Sequence, residues 1–153
     1  MERCFLLFLA ILTVFTFGTS VGVVISKYDN VVEITAKATD YISEDVIAAL
    51  KGGQEIKFTY SIYHDGLFKN TKYSIQSKYL SYDLMNKKYI IRESKKELYY
   101  DSYSEAVKEL SVFKGTVSQK IYEKKKLKGR IRVKGMDVVG VFAVIYRLFF
   151  DLD

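Results

Sequence analysis

The sequence predicts an α+β domain, mainly β: an antiparallel sheet or sandwich of about seven strands with two short helices, preceded by an apolar N-terminal signal or anchor helix. Three observations predict it. Apolar residues recur with a period of two over most of the chain after residue 30, whereas a helical period covers two stretches. Turn-forming residues such as His64-Asp65-Gly66 and Ser94-Lys95 fall between those runs at hairpin spacing. The 153 residues are 49% apolar, 15% aromatic and 27% charged, which suits one buried core and excludes a disordered or collagen-like chain.

Met1-Glu2-Arg3-Cys4 sets one Arg and the amino terminus ahead of Phe5 to Phe17, 13 residues without a charge, which is the order of an export signal. Gly18-Thr19-Ser20 offers small residues to a signal peptidase, so cleavage after Ser20 would start the mature chain at Val21. The uncharged stretch continues to Ile25, 21 residues in all, and about 20 suffice to span a bilayer as a helix. Residues 1–20 are therefore expected to be a cleaved signal or a retained anchor, and residues 28–153 a single β-rich domain. The expected location is periplasmic, or anchored to the inner membrane facing outward. Cys4 lies upstream of the apolar run, where no lipid-modified cysteine would lie, and its removal would leave neither disulfides nor thiolate metal sites. Gly18-Thr19-Ser20-Val21-Gly22 has the G-x-S-x-G spacing of a nucleophile elbow but not the strand before and helix after that the elbow needs.

Val31 to Lys37 alternates, with Val32, Ile34 and Ala36 on one side, and reads as the first strand. Ser43 is placed as a helix N-cap with Glu44 and Asp45 in the first turn, Ile42 and Ile47 as a staple, and Gly52-Gly53 as the stop. From Glu55 the period returns to two, with Ile56, Phe58, Tyr60 and Ile62 on one face. After His64-Asp65-Gly66, Tyr73, Ile75, Ser77 and Tyr79 alternate with Lys72, Ser74, Gln76 and Lys78, so the two runs are expected to pair as a hairpin. Tyr89 to Arg92 and Glu97 to Tyr100 form the next hairpin. Ser102 with Glu105 is a capping box for a second short helix presenting Tyr103, Ala106, Val107 and Leu110. Val117 to Tyr122 and Arg130 to Met136 read as two further strands around the loop Glu123-Lys124-Lys125-Lys126, with Ile131 and Val133 inward. Val138 to Phe150 carries only Arg147 as a charge and reads as a buried closing segment whose period fits helix or strand.

Few residues offer catalytic chemistry. His64 is the one histidine, expected exposed in a turn, and neither a triad nor a zinc site has its partners. Asp83, Asp101 and Asp137 stand at predicted element ends, where aspartate ordinarily caps or turns; a paired-carboxylate hydrolase of the cell envelope is the alternative they leave open. No glycine-rich phosphate loop occurs, and no cofactor is expected. Of the 13 tyrosines, Tyr60, Tyr73, Tyr79, Tyr89 and Tyr99 read as strand residues whose half-buried rings pack while the hydroxyls stay wet. Export removes nucleic acid as a partner.

Leu50 to Phe58 (LKGGQEIKF) is similar to a short-helix, glycine, strand entry, and Leu80-Ser81-Tyr82-Asp83 through Lys88-Tyr89-Ile90-Ile91 resembles an L-x-Y-D hairpin. With Tyr103 to Leu110 and Gly129-Arg130-Ile131-Arg132-Val133, in this order and spacing, the chain from about residue 31 to 150 resembles the bacterial domain-of-unknown-function family numbered 4390. That resemblance implies an exported, envelope-associated domain without assigned activity, often encoded beside a nitrogen-regulation-type sensor histidine kinase. It carries no catalytic residues over. The chain departs from the family at its end, where members continue with a tryptophan-containing segment and this sequence has Phe149 to Asp153 and no Trp.

The net charge of +6 is concentrated locally. Between Lys114 and Lys134, nine cations (Lys114, Lys120, Lys124, Lys125, Lys126, Lys128, Arg130, Arg132 and Lys134) stand against Glu123 alone. Such a run either keeps exposed strand edges from pairing or meets an anionic surface, and the expected function is a non-catalytic binding module that engages a membrane protein or the anionic membrane surface. The leader is checked by mass spectrometry of the protein from envelope fractions: cleavage gives an N-terminus at Val21, an anchor retains Met1, and recovery confined to the cytoplasm contradicts export.

Overall fold

The computed structural model describes residues 20–39, 42, 44–136 and 142–152. In chain order its elements are β1 (Ser20–Tyr28), β2 (Val31–Thr39), α1 (Glu44–Lys51), β3 (Ile56–His64), β4 (Thr71–Asp83), β5 (Lys88–Glu93), β6 (Lys96–Tyr100), α2 (Tyr103–Leu110), β7 (Val112–Ser118), α3 (Gln119–Lys124), β8 (Lys128–Met136) and β9 (Phe142–Asp151). The strands form two antiparallel sheets, β1-β2-β7 and β6-β5-β4-β3-β8-β9. One apolar cluster lies between them, with Val32, Ile34 and Phe113 from the smaller sheet facing Phe58, Ile62, Leu80, Ile131 and Val133 from the larger. The mainly β, α+β class read from the periodicity holds, with nine strands in place of about seven and three helices among the described residues.

The strongly alternating runs fold as their period dictates. β2 buries Val32, Ile34 and Ala36, β3 buries Ile56, Phe58, Tyr60 and Ile62, and β8 buries Ile131 and Val133. The Ser102 hydroxyl accepts from the Glu105 N–H at 3.2 Å, so the cap that starts α2 is the one the sequence marks. Gly53 ends the α1 region with φ of 81°, a left-handed backbone that glycine adopts without penalty. Val46 and Leu50 of α1 are buried; the expected cap Ser43 and the expected signal or anchor before Ser20 lie outside the described residues.

Four expectations need correction. Ser20 to Tyr28, where the uncharged stretch ends at Ile25 and the domain is expected to start only at residue 28, is a strand paired along its length with β2, from Ser20 opposite Thr39 to Tyr28 opposite Val31. A strand of small and apolar residues continues the apolar run of residues 5–17 without any break in composition, so composition alone does not mark its start. Val117 to Tyr122, read as a strand, splits into the end of β7 and helix α3. Its period fits a strand, but the Ser118 hydroxyl accepts from the Ile121 N–H at 3.3 Å and starts a helix. The Gln119 N–H, bonded to the Asn30 carbonyl at 2.9 Å, ends the ladder there. The closing segment, expected buried with helix or strand left open, is from Phe142 the edge strand β9; Phe149 on it is 61% exposed, whereas Phe150 packs against the core and Leu152 just beyond is buried. Tyr60, expected to keep its hydroxyl wet, is 1% exposed with no partner for that oxygen among the described residues, whereas Tyr99 is exposed. Phe113 lies 5.8 Å from the Tyr60 ring, and Phe150 stacks on it at 6.2 Å.

The inward face of β4 carries Gln76 and Lys78 alongside the apolar Leu80. Lys78, not Ile75, points into the sandwich: Lys78 is 3% exposed and Ile75 is 58% exposed. The Lys78 ammonium donates to the Val112 carbonyl at 2.6 Å and the Glu109 carbonyl at 2.9 Å, and lies 5.3 Å from the centre of the Phe113 ring. Two residues earlier the Gln76 side chain accepts from the Lys114 N–H at 2.8 Å and donates to Glu93. These two side chains satisfy the edge of β7 that faces away from β2, and Lys78 also meets a carbonyl in the last turn of α2, where the helix dipole favours a cation. Opposite them a Cβ on Gly115 would stand 2.6 Å from Ile62 Cδ1 and 2.9 Å from Ser74 Oγ, so glycine permits this close approach of the sheets.

Burial holds the Lys78 ammonium below its usual 10.5 and raises the Tyr60 phenol well above its usual 10.0. Between the lowered value and 10.5 the unfolded chain binds more protons at Lys78 than the folded chain, so stability rises with pH across that window. Above 10.0 the unfolded chain sheds the Tyr60 proton that the folded chain keeps, so stability falls there. Denaturant titrations at alkaline pH should show the rise vanish in Lys78→Met, which costs about 2–3 kcal/mol through the carbonyls left without their donor. They should show the Tyr60 fall vanish in Tyr60→Phe, which gains about 1 kcal/mol by removing an unpaired buried hydroxyl.

Candidate functional site

Strand pairing gathers cations at one end of the sandwich. In the six-stranded sheet His64 pairs with Thr71, Tyr63 with Lys128, and Lys128 with Asp151, so these residues share one end. In the three-stranded sheet Val31 pairs with both Tyr28 and Ser118. Helix α3 and three residues after it carry the chain from Ser118 to Lys128, so the two sheet ends form a single pole. Lys120, Lys124, Lys125 and Lys126 are exposed on it. Lys69 of the β3–β4 loop and Lys72 at the start of β4 join them, two cations outside the run of nine.

From this pole the patch continues along β8. Lys128, Arg130, Arg132 and Lys134 alternate with the buried Gly129, Ile131 and Val133, so all four stand on the outer face of the six-stranded sheet. They are half-buried rather than fully exposed. The Arg130 guanidinium lies 5.3 Å from the centre of the Tyr63 ring, and Lys134 is opposite Lys57, whose ammonium lies 5.3 Å from the Tyr79 ring. Lys114 is not part of the patch: β7 belongs to the other sheet and turns Lys114 to that sheet's outer face, opposite Thr35. The structure thus brings eight of the nine expected cations onto one pole and the strand leading from it.

Carboxylates interrupt the pole at few points. Lys128 forms an ion pair with Asp65, which raises its pKa by hydrogen bonding and by charge. Glu123 accepts from Gln119 at 2.8 Å, and Asp29 and Asp151 sit in the β1–β2 turn and at the end of β9. A shallow cavity of about 300 Å³ opens beside Lys128, lined by Tyr63, Phe149, Phe150 and Asp151. A Cβ on Gly129 would collide with the Phe150 ring, which fixes where that ring lies against β8.

The residues considered for catalysis are engaged structurally. His64 is a strand residue, half-buried rather than exposed in a turn; its Nδ1 is 2.7 Å from the Tyr73 hydroxyl and its ring stacks on Tyr73 at 5.5 Å. Asp83 folds the β4–β5 turn by accepting from the Met85 and Asn86 N–H groups at 2.9 and 3.1 Å and from the Asn86 side chain at 2.7 Å, and these bonds hold its carboxyl below the usual range. Asp101 pairs with Lys88 at 3.4 Å, and Asp137 lies outside the described residues. Ser20 to Gly22 of the G-x-S-x-G pattern begin a strand, where an elbow needs a helix. Among the described residues no group of three or more His, Cys, Asp or Glu could hold a metal.

Sequence reasoning missed Leu67 and Phe68, which are 92% and 97% exposed at the tip of the β3–β4 loop beside Lys69. Their signal is an apolar pair inside a turn segment, where polar residues are the rule. No family model, curated protein or solved structure matches the chain.

Proposed function

We propose that the chain is an exported, envelope-associated, non-catalytic binding module that docks on an anionic surface through its basic pole. The observation that carries this reading is the convergence of Lys120, Lys124, Lys125 and Lys126 from α3 and its end with Lys69 and Lys72 from the β3–β4 hairpin. These come from segments some fifty residues apart, so the charge is a property of the folded surface and not only of one run. The partner is the headgroup layer of an anionic membrane or an acidic face of a membrane protein; the resemblance to the family numbered 4390 adds a sensor histidine kinase as one such protein. Near a negatively charged leaflet each basic residue contributes roughly 1 kcal/mol, fading within a Debye length. The alternative is a carboxylate-dependent hydrolase of the cell envelope; it is less favoured because Asp83 is engaged in the β4–β5 turn and Asp101 is paired with Lys88.

The expected outcome is that the full chain sediments more with vesicles containing anionic phospholipid than with neutral ones. The excess is lost near about 0.5 M salt and in the variant Lys124→Glu, Lys125→Glu, Lys126→Glu. Equal sedimentation with both vesicles, or indifference to the triple substitution, leaves the lysines as a solvated edge.

A further inference from the structure

The basic pole carries an apolar tip. Leu67 and Phe68 are almost fully exposed, and both lie in the turn between β3 and β4, where no described residue covers them. A monomeric domain can leave an isolated apolar side chain in water at little cost, but two adjacent large ones at a loop apex, with Lys69 and Lys72 just after them, form a distinct surface. The loop is shaped rather than slack: a Cβ on Gly66 would collide with the Lys69 carbonyl, so the chain folds back sharply just before the tip. Lys69 follows Phe68, Lys72 begins β4, and Lys128 stands beside Asp65 at the base of the loop.

We propose that Leu67 and Phe68 form a wedge that enters the acyl-chain boundary of an anionic bilayer while the surrounding lysines hold the headgroups. The inference rests on the docking reading above and names its partner as lipid rather than protein. The chemistry matches in both parts. An interfacial membrane contact combines apolar side chains that reach just below the headgroups with cations at headgroup level, and a cation whose stem is long can stay at that level while its neighbour inserts. The carboxylates of the pole are elsewhere than on residues 67 and 68: Asp65 is paired with Lys128 at the loop's base, Glu123 accepts from Gln119 on α3, Asp29 is in the β1–β2 turn and Asp151 ends β9. A second exposed apolar pair, Leu84 and Met85, gives the contrast. It lies on the β4–β5 turn, at the far end of β4, where Lys88 is paired with Asp101 and the exposed Lys87 is offset in charge by Asp83, which caps the turn. That tip has apolar area without surplus positive charge, and it should stay in water.

The chain contains no Trp, so a single tryptophan reports on one place. In the full chain, Phe68→Trp and, separately, Met85→Trp are mixed with vesicles of anionic phospholipid and with neutral vesicles, at low salt and at about 0.5 M salt. The wedge predicts that emission from the Phe68→Trp protein shifts to the blue and is quenched by brominated acyl chains on anionic vesicles only. High salt should reverse this, and the Met85→Trp protein should show neither effect. Charge-dependent sedimentation with unshifted emission from the Phe68→Trp protein would overturn the wedge and leave the docking reading intact. The same shift on neutral vesicles, or no difference in sedimentation between the two, would sink the docking reading itself. A blue shift without vesicles that grows with protein concentration would assign the tip to a second copy of the chain and likewise overturn the proposal. Both positions are more than nine-tenths exposed, so neither substitution touches the core.

Discussion

The Lys78 ammonium, buried between two sheets, is the constraint around which this fold is arranged. A sandwich of a three-stranded and a six-stranded sheet has edges, and an edge buried against the opposite sheet leaves backbone groups that nothing in its own ladder can satisfy. Here the edge of β7 meets the inner face of β4, and the side chains of Lys78 and Gln76 take the place of a neighbouring strand. Burying an ammonium is costly by itself. The cost is offset because its donors meet two carbonyls and the face of the Phe113 ring, and because one of those carbonyls closes α2 at the negative end of its dipole.

The same seam explains the small residues and the unpaired hydroxyl nearby. Gly115 lets β7 approach Ile62 and Ser74 closely, and Tyr60 fills the space between Phe113 and Phe150 with a ring whose oxygen finds no partner among the described residues. The aromatic packing area there outweighs one unpaired hydroxyl, since a buried ring contributes more than the roughly 1–3 kcal/mol that such a group costs. Stability is thus concentrated where the sheets meet. The hairpin tips, far from the seam, are free to carry other properties.

The basic pole is such a tip region. Its cations come from α3, from the segment leading into β8 and from the β3–β4 hairpin, three pieces joined by strand register rather than by sequence proximity. Rigid strands underneath present these lysines on one end, where their fields add. The ladder along β8 behaves differently, because Arg130 lies over an aromatic ring and Lys128 is tied to Asp65. The exposed lysines of α3 and its end are therefore the ones that keep most of their charge available to a partner.

The sequence by itself determined the class, the faces of the strongly alternating strands, both flanking hairpins and the cap of α2, because each depends on residues close together along the chain. Ile56 to Ile62, Ile131 with Val133, and Ser102 with Glu105 carry their structure in local spacing. It also marked the cationic run, of which Lys114 was the one member the fold sent elsewhere. What only the tertiary structure decided is which face of an ambiguous strand turns inward and which segments meet. β4 offers Ile75 and Tyr79 on one side and Gln76, Lys78 and Leu80 on the other, and the second side faces the core, where the edge of β7 requires donors and acceptors that Ile75 could not supply. β1 begins inside the uncharged stretch and is a strand because β2 gives it a ladder to complete, and Val117 to Tyr122 turned helical because Asn30 and Ser118 ended the strand there. Local period cannot encode these outcomes, since each was settled by backbone hydrogen-bonding groups brought from elsewhere in the chain.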